Sequence, residues 1–196
     1  MFKDPIAAKR FAELTLRYHW QSIVETGTYY AESALIFSYY VPFVFTMDIN
    51  PECFRVSATE VLNKGYVLVG RTETAMLLAK QGKFINLYCA DSAKWLSQYL
   101  GAVQEPVCFY LDAHWEDYWP ILDELKAIQG KKNCAVIIHD FQVPGKDFGY
   151  DTYKGVSLNI DLVQENLMAI NPGFEICYNE EAAGNYRGIL YALPEI

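Results

Sequence analysis

The sequence predicts an α/β protein: a mostly parallel sheet with helices on both faces. Three observations carry this. Short apolar runs rich in Val, Ile, Phe and Tyr alternate with segments of helical periodicity. Those runs are apolar almost throughout, as in strands covered on both faces. The last two runs, 174–179 and 188–193, are separated by only EEAAGNYR with no helix, which predicts an antiparallel hairpin at one edge.

The elements follow in order. Residues 5–18 carry apolar residues at helical spacing, with Asp4 as the expected N-cap and Pro5 at the first helical position. QSIVETG (21–27) reads as a strand closed by Gly, AESALIFSYY (31–40) as a helix, and FVFTMDI (43–49) as a strand. A helix over 51–64 opens on Pro51. Strand 84–91 precedes helix 92–100, and strand 106–113 precedes helix 119–129. Strand 134–140, a helix over 156–170 and the terminal hairpin complete the set. Five strand–helix units plus the hairpin make a seven-stranded sheet. The run 66–80 (YVLVGRTETAMLLAK) reads as an extra strand and helix, or as the true third unit with 84–91 following it.

The chain has 196 residues, 52% hydrophobic and 20% charged, so a single domain over 1–196 is expected, with an N-terminal helix at 5–18 and a core at 21–193. The net charge of −8 argues against nucleic acid and anionic membrane as partners. Five cysteines with no C-x-x-C spacing form neither a disulfide framework nor a zinc knuckle. The start, MFKDPIAAKRF, lacks an apolar signal region, and no run is long enough to span a bilayer. A cytoplasmic protein with free thiols is expected.

In an open α/β sheet, ligands bind beyond the carboxyl ends of the strands. Those ends read Glu25-Thr26-Gly27-Thr28, Asp48-Ile49-Asn50, Asp91-Ser92, Asp112-Ala113-His114 and His139-Asp140. Each carries an acid. Helix capping accounts for Ser92 and partly for Asp91, but less well for all five together. A Gly turn after the first strand and Asp48, 21 residues after Gly27, match the logic of a nucleoside site, in which the acid accepts ribose hydroxyls. The loop ETGTYYAES is not G-x-G-x-x-G, and Glu25 would repel a pyrophosphate. A nucleoside bearing a cationic amino group fits better than a dinucleotide.

On these residues, from about 21 to 193, the chain resembles the class I S-adenosylmethionine-dependent methyltransferases, Rossmann-like proteins, in their small-molecule O-methyltransferase branch. The first loop keeps the acid and first Gly of their E/D-x-G-x-G-x-G pattern and departs at the two later glycines. The resemblance implies S-adenosylmethionine as cofactor, with Glu25 and Gly27 bordering its methionine part, Asp48 holding the ribose, and Asp91 with Ser92 by the adenine, GRTE (70–73) being the rival for that last role. Thr26, Thr28, Ser33 and Asn50 complete the expected cofactor-binding set. LDAHW (111–115) and IIHDF (137–141) look like strand ends of metal-assisted O-methyltransferases. That likeness implies Mg²⁺ or another divalent cation on Asp112 and Asp140, with His139, Asp112 and His114 catalytic. His114 and His139 could instead act as general bases or merely bond backbone. Trp115, Tyr118 and Trp119 are candidates to stack on a substrate ring, and the long loop 141–155 with Asp147, Tyr150, Asp151 and Tyr153 stands where a lid would. The run ELK (124–126) reads as a solvated helix face.

The implied activity is methyl transfer to a hydroxyl of a small molecule or sugar, with a homodimer left open. The alternatives are a nucleoside-binding domain of this type without methyl transfer, or a hydroxylase-like enzyme on the same fold.

Overall fold

The computed structural model describes residues 4–114, 118–184 and 186–195. Helix α1 (Pro5–Tyr18) starts where Asp4 Oδ1 accepts from the N–H groups of Ile6 and Ala7, satisfying donors that a first turn leaves open. Strand β1 (Ser22–Thr26) is buried along its whole length, and helix α2 (Glu32–Tyr40) and strand β2 (Phe43–Asp48) follow. Asn50 caps helix α3 (Pro51–Asn63) through the N–H of Glu52.

Residues 66–80 then depart from expectation. They form strand β3 (Val67–Arg71) and strand β4 (Ala75–Lys80), an antiparallel hairpin with no helix. The physical reason lies in the next strand, β5 (Lys83–Cys89), which pairs parallel with β2 and would otherwise offer an open edge. Strand β4 takes that edge in antiparallel register, Ala75 opposite Tyr88 and Lys80 opposite Lys83. Its burial alternates, with Met76 and Leu78 inward, so the run TAMLLAK has the period of a strand. The third parallel strand is therefore the one at 84–91, and the sheet has nine strands rather than seven.

Asp91 caps helix α4 (Ser92–Tyr99), followed by strand β6 (Val107–Leu111), helix α5 (Ile121–Ala127) and strand β7 (Cys134–His139). A small ribbon, β8 (Thr152–Tyr153) with β9 (Val156–Ser157), precedes helix α6 (Ile160–Ile170). Strands β10 (Glu175–Tyr178) and β11 (Ile189–Leu193) form the antiparallel hairpin at the other edge. The sheet order is β10-β11-β7-β6-β1-β2-β5-β4-β3, with β1, β2, β5, β6 and β7 parallel.

The pleat divides the core in two. Ile23, Cys108, Tyr110 and Ile137 meet α1, α2 and α3 on one face. Their neighbours Val24, Phe109, Leu111 and Ile138 meet α4, α5 and α6 on the other. All five thiols are unpaired. Among the described residues, no helix is long and apolar enough to cross a membrane.

Candidate functional site

The carboxyl ends of β1, β2, β5, β6 and β7 open on one cavity of about 570 Å³, within the usual range for a small-molecule site. Gly27, Asp48, Asp91, Ser92, Asp112, His114, His139 and Asp140 line it. The strand order alone brings these eight together. GRTE (70–73) runs in the β3–β4 hairpin at the far edge and takes no part.

Gly27 sits at φ +82°, and a Cβ there would fall 2.5 Å from the carbonyl oxygen of Asp112. The missing side chain lets the end of β1 abut the end of β6, so glycine is demanded by the protein's own backbone. The two later glycines of the loop pattern are absent, but their conformation is not. Tyr29 and Ala31 occupy the left-handed region at φ 49° and 61°, costing about 1–2 kcal/mol each. The loop is tied down around them. Gly27 and Thr28 donate their N–H groups to the Met47 carbonyl, and Ser57 Oγ donates to the Tyr29 carbonyl.

Asp48 accepts from the N–H groups of Tyr29 and Asn50, one on each carboxylate oxygen, both at 2.9 Å. A carboxylate has further lone pairs, so the geometry leaves it able to accept hydroxyls from the cavity. Asp91 accepts from the Lys94 N–H and the Tyr118 hydroxyl, at 3.0 and 3.1 Å. Tyr118 thus belongs beside Asp91. Trp119 contacts the Tyr153 ring, and Trp115 lies outside the described residues.

Five expected cofactor residues stand outside the lining. Thr28 and Thr46 share a hydrogen bond at 2.6 Å, and Thr46 and Ser33 both donate to Glu25. Glu25 is wholly buried, and burial pushes its carboxyl up to about 8 despite the two hydroxyls. It braces the loop from beneath. Thr26 Oγ1 accepts from the Asp112 N–H at 3.3 Å, and Asn50 serves as the α3 cap.

Glu124, read from sequence as part of a solvated face, is 1% exposed and accepts from Ser92 Oγ. Burial raises it to about 7. Helix α5 turns this position toward α4, which the isolated run ELK could not reveal.

The β6–β7 end is built from charges. His139 Nδ1 lies 3.2 Å from Asp112 Oδ1 and 2.9 Å from Asp140 Oδ1. Burial opposes charge on this imidazole most strongly, yet the two carboxylates outweigh it and hold it at about 9. Asp140, at φ 57°, also takes the Nε of Arg187. Burial works against its ionisation, but His139 and Arg187 together hold it well below the usual carboxylate range. Arg187 also donates to Asp151 in the 141–155 loop, and exposed His114 stands 3.8 Å from that same carboxylate. No local signal marked Arg187, which reaches the cavity from the segment before β11.

Asp112, His139 and Asp140 hold ligand atoms within 4.8 Å of one another, as a metal would need. In this arrangement Asp140 Oδ1 already meets His139 and Arg187, and Asp112 Oδ1 meets His139.

No family model and no curated protein matches this chain. Solved structures do. An O-methyltransferase from Bacillus cereus in complex with SAH superposes at TM-score 0.65 with 14% identity, covering 97% of this chain and 81% of that one. Podospora anserina methyltransferase PaMTH1, SAH-bound, gives 0.55 and 14%, covering 97% and 78%. Trm1 from Pyrococcus horikoshii with S-adenosyl-L-methionine gives 0.61 and 10%, covering 96% of this chain and 54% of that one. At such identities the likeness establishes a shared fold.

Proposed function

We propose that this chain binds S-adenosylmethionine and transfers its methyl group to a hydroxyl of a small molecule or sugar. One observation carries the reading. A single cavity joins a nucleoside-type end (Gly27, Asp48, Asp91, Ser92) to an acid–histidine end (Asp112, His139, Asp140). The three solved structures of the same fold, each holding SAH or S-adenosyl-L-methionine, support it by analogy.

Asp48 would hold the ribose hydroxyls and Asp91 with Ser92 the adenine. When bound, the cofactor supplies an electrophilic methyl group on a sulfonium. The chain's own tasks are alignment of the acceptor and removal of its proton. Asp112 and Asp140 both meet Nδ1 of His139 and so fix the ring. In its neutral form His139 takes the acceptor's proton, and Asp112 stays ionised to stabilise the imidazolium that forms. At rest the ring is protonated at neutral pH, since it titrates at about 9. A second cation in the same cavity lowers that value. The rate therefore rises with pH until the histidine of the loaded protein has lost its proton.

Calorimetry and thermal shift with SAH and NAD test the reading. SAH should bind and stabilise, and NAD should not. Asp48→Ala should weaken SAH by about 10- to 100-fold, as charge-assisted hydrogen bonds are worth about 1.5–3 kcal/mol. Stabilisation by NAD with none by SAH would overturn it. SAH binding without methyl transfer to any hydroxyl would leave a nucleoside-binding domain.

A further inference from the structure

Asp140 belongs to both groups of side chains close enough to share an ion: Asp112 with His139, and His114 with Asp151. It is also the residue that Arg187 grips. The guanidinium donates from Nε to Asp140 and from Nη2 to Asp151, so it spans the second group and holds the shared acid of the first.

The backbone builds this placement. A Cβ at Gly188 would fall 2.0 Å from the carbonyl oxygen of Phe141, so only glycine lets the chain before β11 lie against the end of β7. The Phe141 N–H donates to the Gly188 carbonyl, and the Gly188 N–H donates to the Gly149 carbonyl. The Asp151 N–H donates to the Asp140 carbonyl at 2.8 Å. Residues 140, 149, 151, 187 and 188 are thereby locked as one unit, and Arg187 projects from it onto both acids.

We infer that Arg187 is the resident cation of the acceptor end, standing in the place of a divalent ion, so that the methyl transfer proposed above is metal-independent. A guanidinium is charged at every pH the fold survives and matches carboxylates with a planar fork of donors. Arg187 and His139 both meet Asp140 at Oδ1, so a divalent ion on that oxygen would have to displace the guanidinium. The guanidinium donates to two of the three carboxylates gathered here, Asp140 and Asp151, and so occupies the space between them.

Manganese titration of the full chain tests this, followed by calorimetry and by electron paramagnetic resonance of free Mn²⁺. Wild type should show no saturable site up to millimolar Mn²⁺. Arg187→Met should gain one site at least tenfold tighter than any in wild type, and adding Asp140→Asn should remove it. Arg187→Lys, which keeps the cation, should behave as wild type. Two results would overturn the assignment: a sub-millimolar wild-type site that Asp112→Asn abolishes, or an Arg187→Met protein that folds and gains nothing. If Arg187→Met does not fold, wild type against Asp112→Asn decides alone. The assignment rests on the methyltransferase reading only for its chemistry. SAH thermal shift on wild type tests that reading apart, so an inert SAH with the expected manganese pattern would sink the reading and leave Arg187 in place.

Discussion

The two ends of the cavity hold their acids by different means. At the β1–β2–β5 end, Asp48 and Asp91 accept from backbone N–H groups of Tyr29, Asn50 and Lys94. At the β6–β7 end, Asp112, Asp140 and Asp151 are met by the side chains of His139 and Arg187. A backbone amide does not titrate and comes with the loop itself. A side-chain cation must be delivered by another part of the chain, and an imidazole changes charge with pH. The acids that line the first end are thus held by the backbone around them. The second is assembled from afar and responsive.

Gly27 is the seam between the ends, and its substitution should have the largest effect. Gly27→Ala places a methyl 2.5 Å from the Asp112 carbonyl at φ +82°, combining left-handed strain with overpacking. A loss of about 2–5 kcal/mol in urea unfolding is expected, together with loss of SAH binding. A variant within about 1 kcal/mol of wild type would mean the two ends do not abut rigidly.

Replacing one acid at each end tests the contrast directly. Asp140→Asn leaves Arg187 and His139 facing a neutral group in a buried setting and should cost about 3 kcal/mol. Asp48→Asn keeps one carbonyl acceptor for backbone donors and should cost about 1 kcal/mol. Equal losses in denaturant midpoints would erase the distinction.

The pH dependence sharpens it. His139 is raised from 6.5 to about 9, so its contribution is complete below about 6.5 and is lost as pH rises through about 9. Asp140 is lowered, so its contribution is present above the ordinary carboxylate range and is lost as pH falls. Glu25 and Glu124, raised by burial to about 8 and about 7, favour the fold most below about 4.5 and lose that contribution as pH climbs through those values. His139, Glu25 and Glu124 all lean one way, so the thermal midpoint should fall from pH 6 to pH 9. Glu25→Gln should flatten part of that slope. A midpoint that rises over this interval would contradict the charge assignments at both ends.

The smallest effect belongs to the part of the first loop where Tyr29 and Ala31 replace the two later glycines of the pattern. Ala31 is buried at φ 61°, and Ala31→Gly should stabilise by up to about 1 kcal/mol, relief of strain being partly offset by the freer unfolded chain. Destabilisation in urea unfolding would show that packing of the Ala31 methyl outweighs its backbone strain.

Much of the architecture was legible before any coordinates. The five parallel strands, the terminal hairpin and the cap at Asp4 are properties of contiguous residues, set by side-chain period and by local hydrogen bonds. So is the presence of an acid at each parallel strand's end. What a residue does there was less legible. Glu25 carries the right type for the cofactor loop, yet burial makes it a brace.

The sequence by itself determined the alternation of strands and helices, the edge hairpin and the residues at the strand ends. Only the tertiary structure decided that 66–80 is a hairpin, because the open edge of β5 selects a strand from a run with two readings. Only it placed Glu124 inside, because helix packing against α4 sets which face is wet. And only it brought Arg187 to Asp140, 47 residues away, because β11 pairs antiparallel beside β7 and Gly188 lets the two strand ends touch. Periodicity and capping act between neighbours in the chain, whereas charge pairing acts between neighbours in space, and strand order alone converts one into the other.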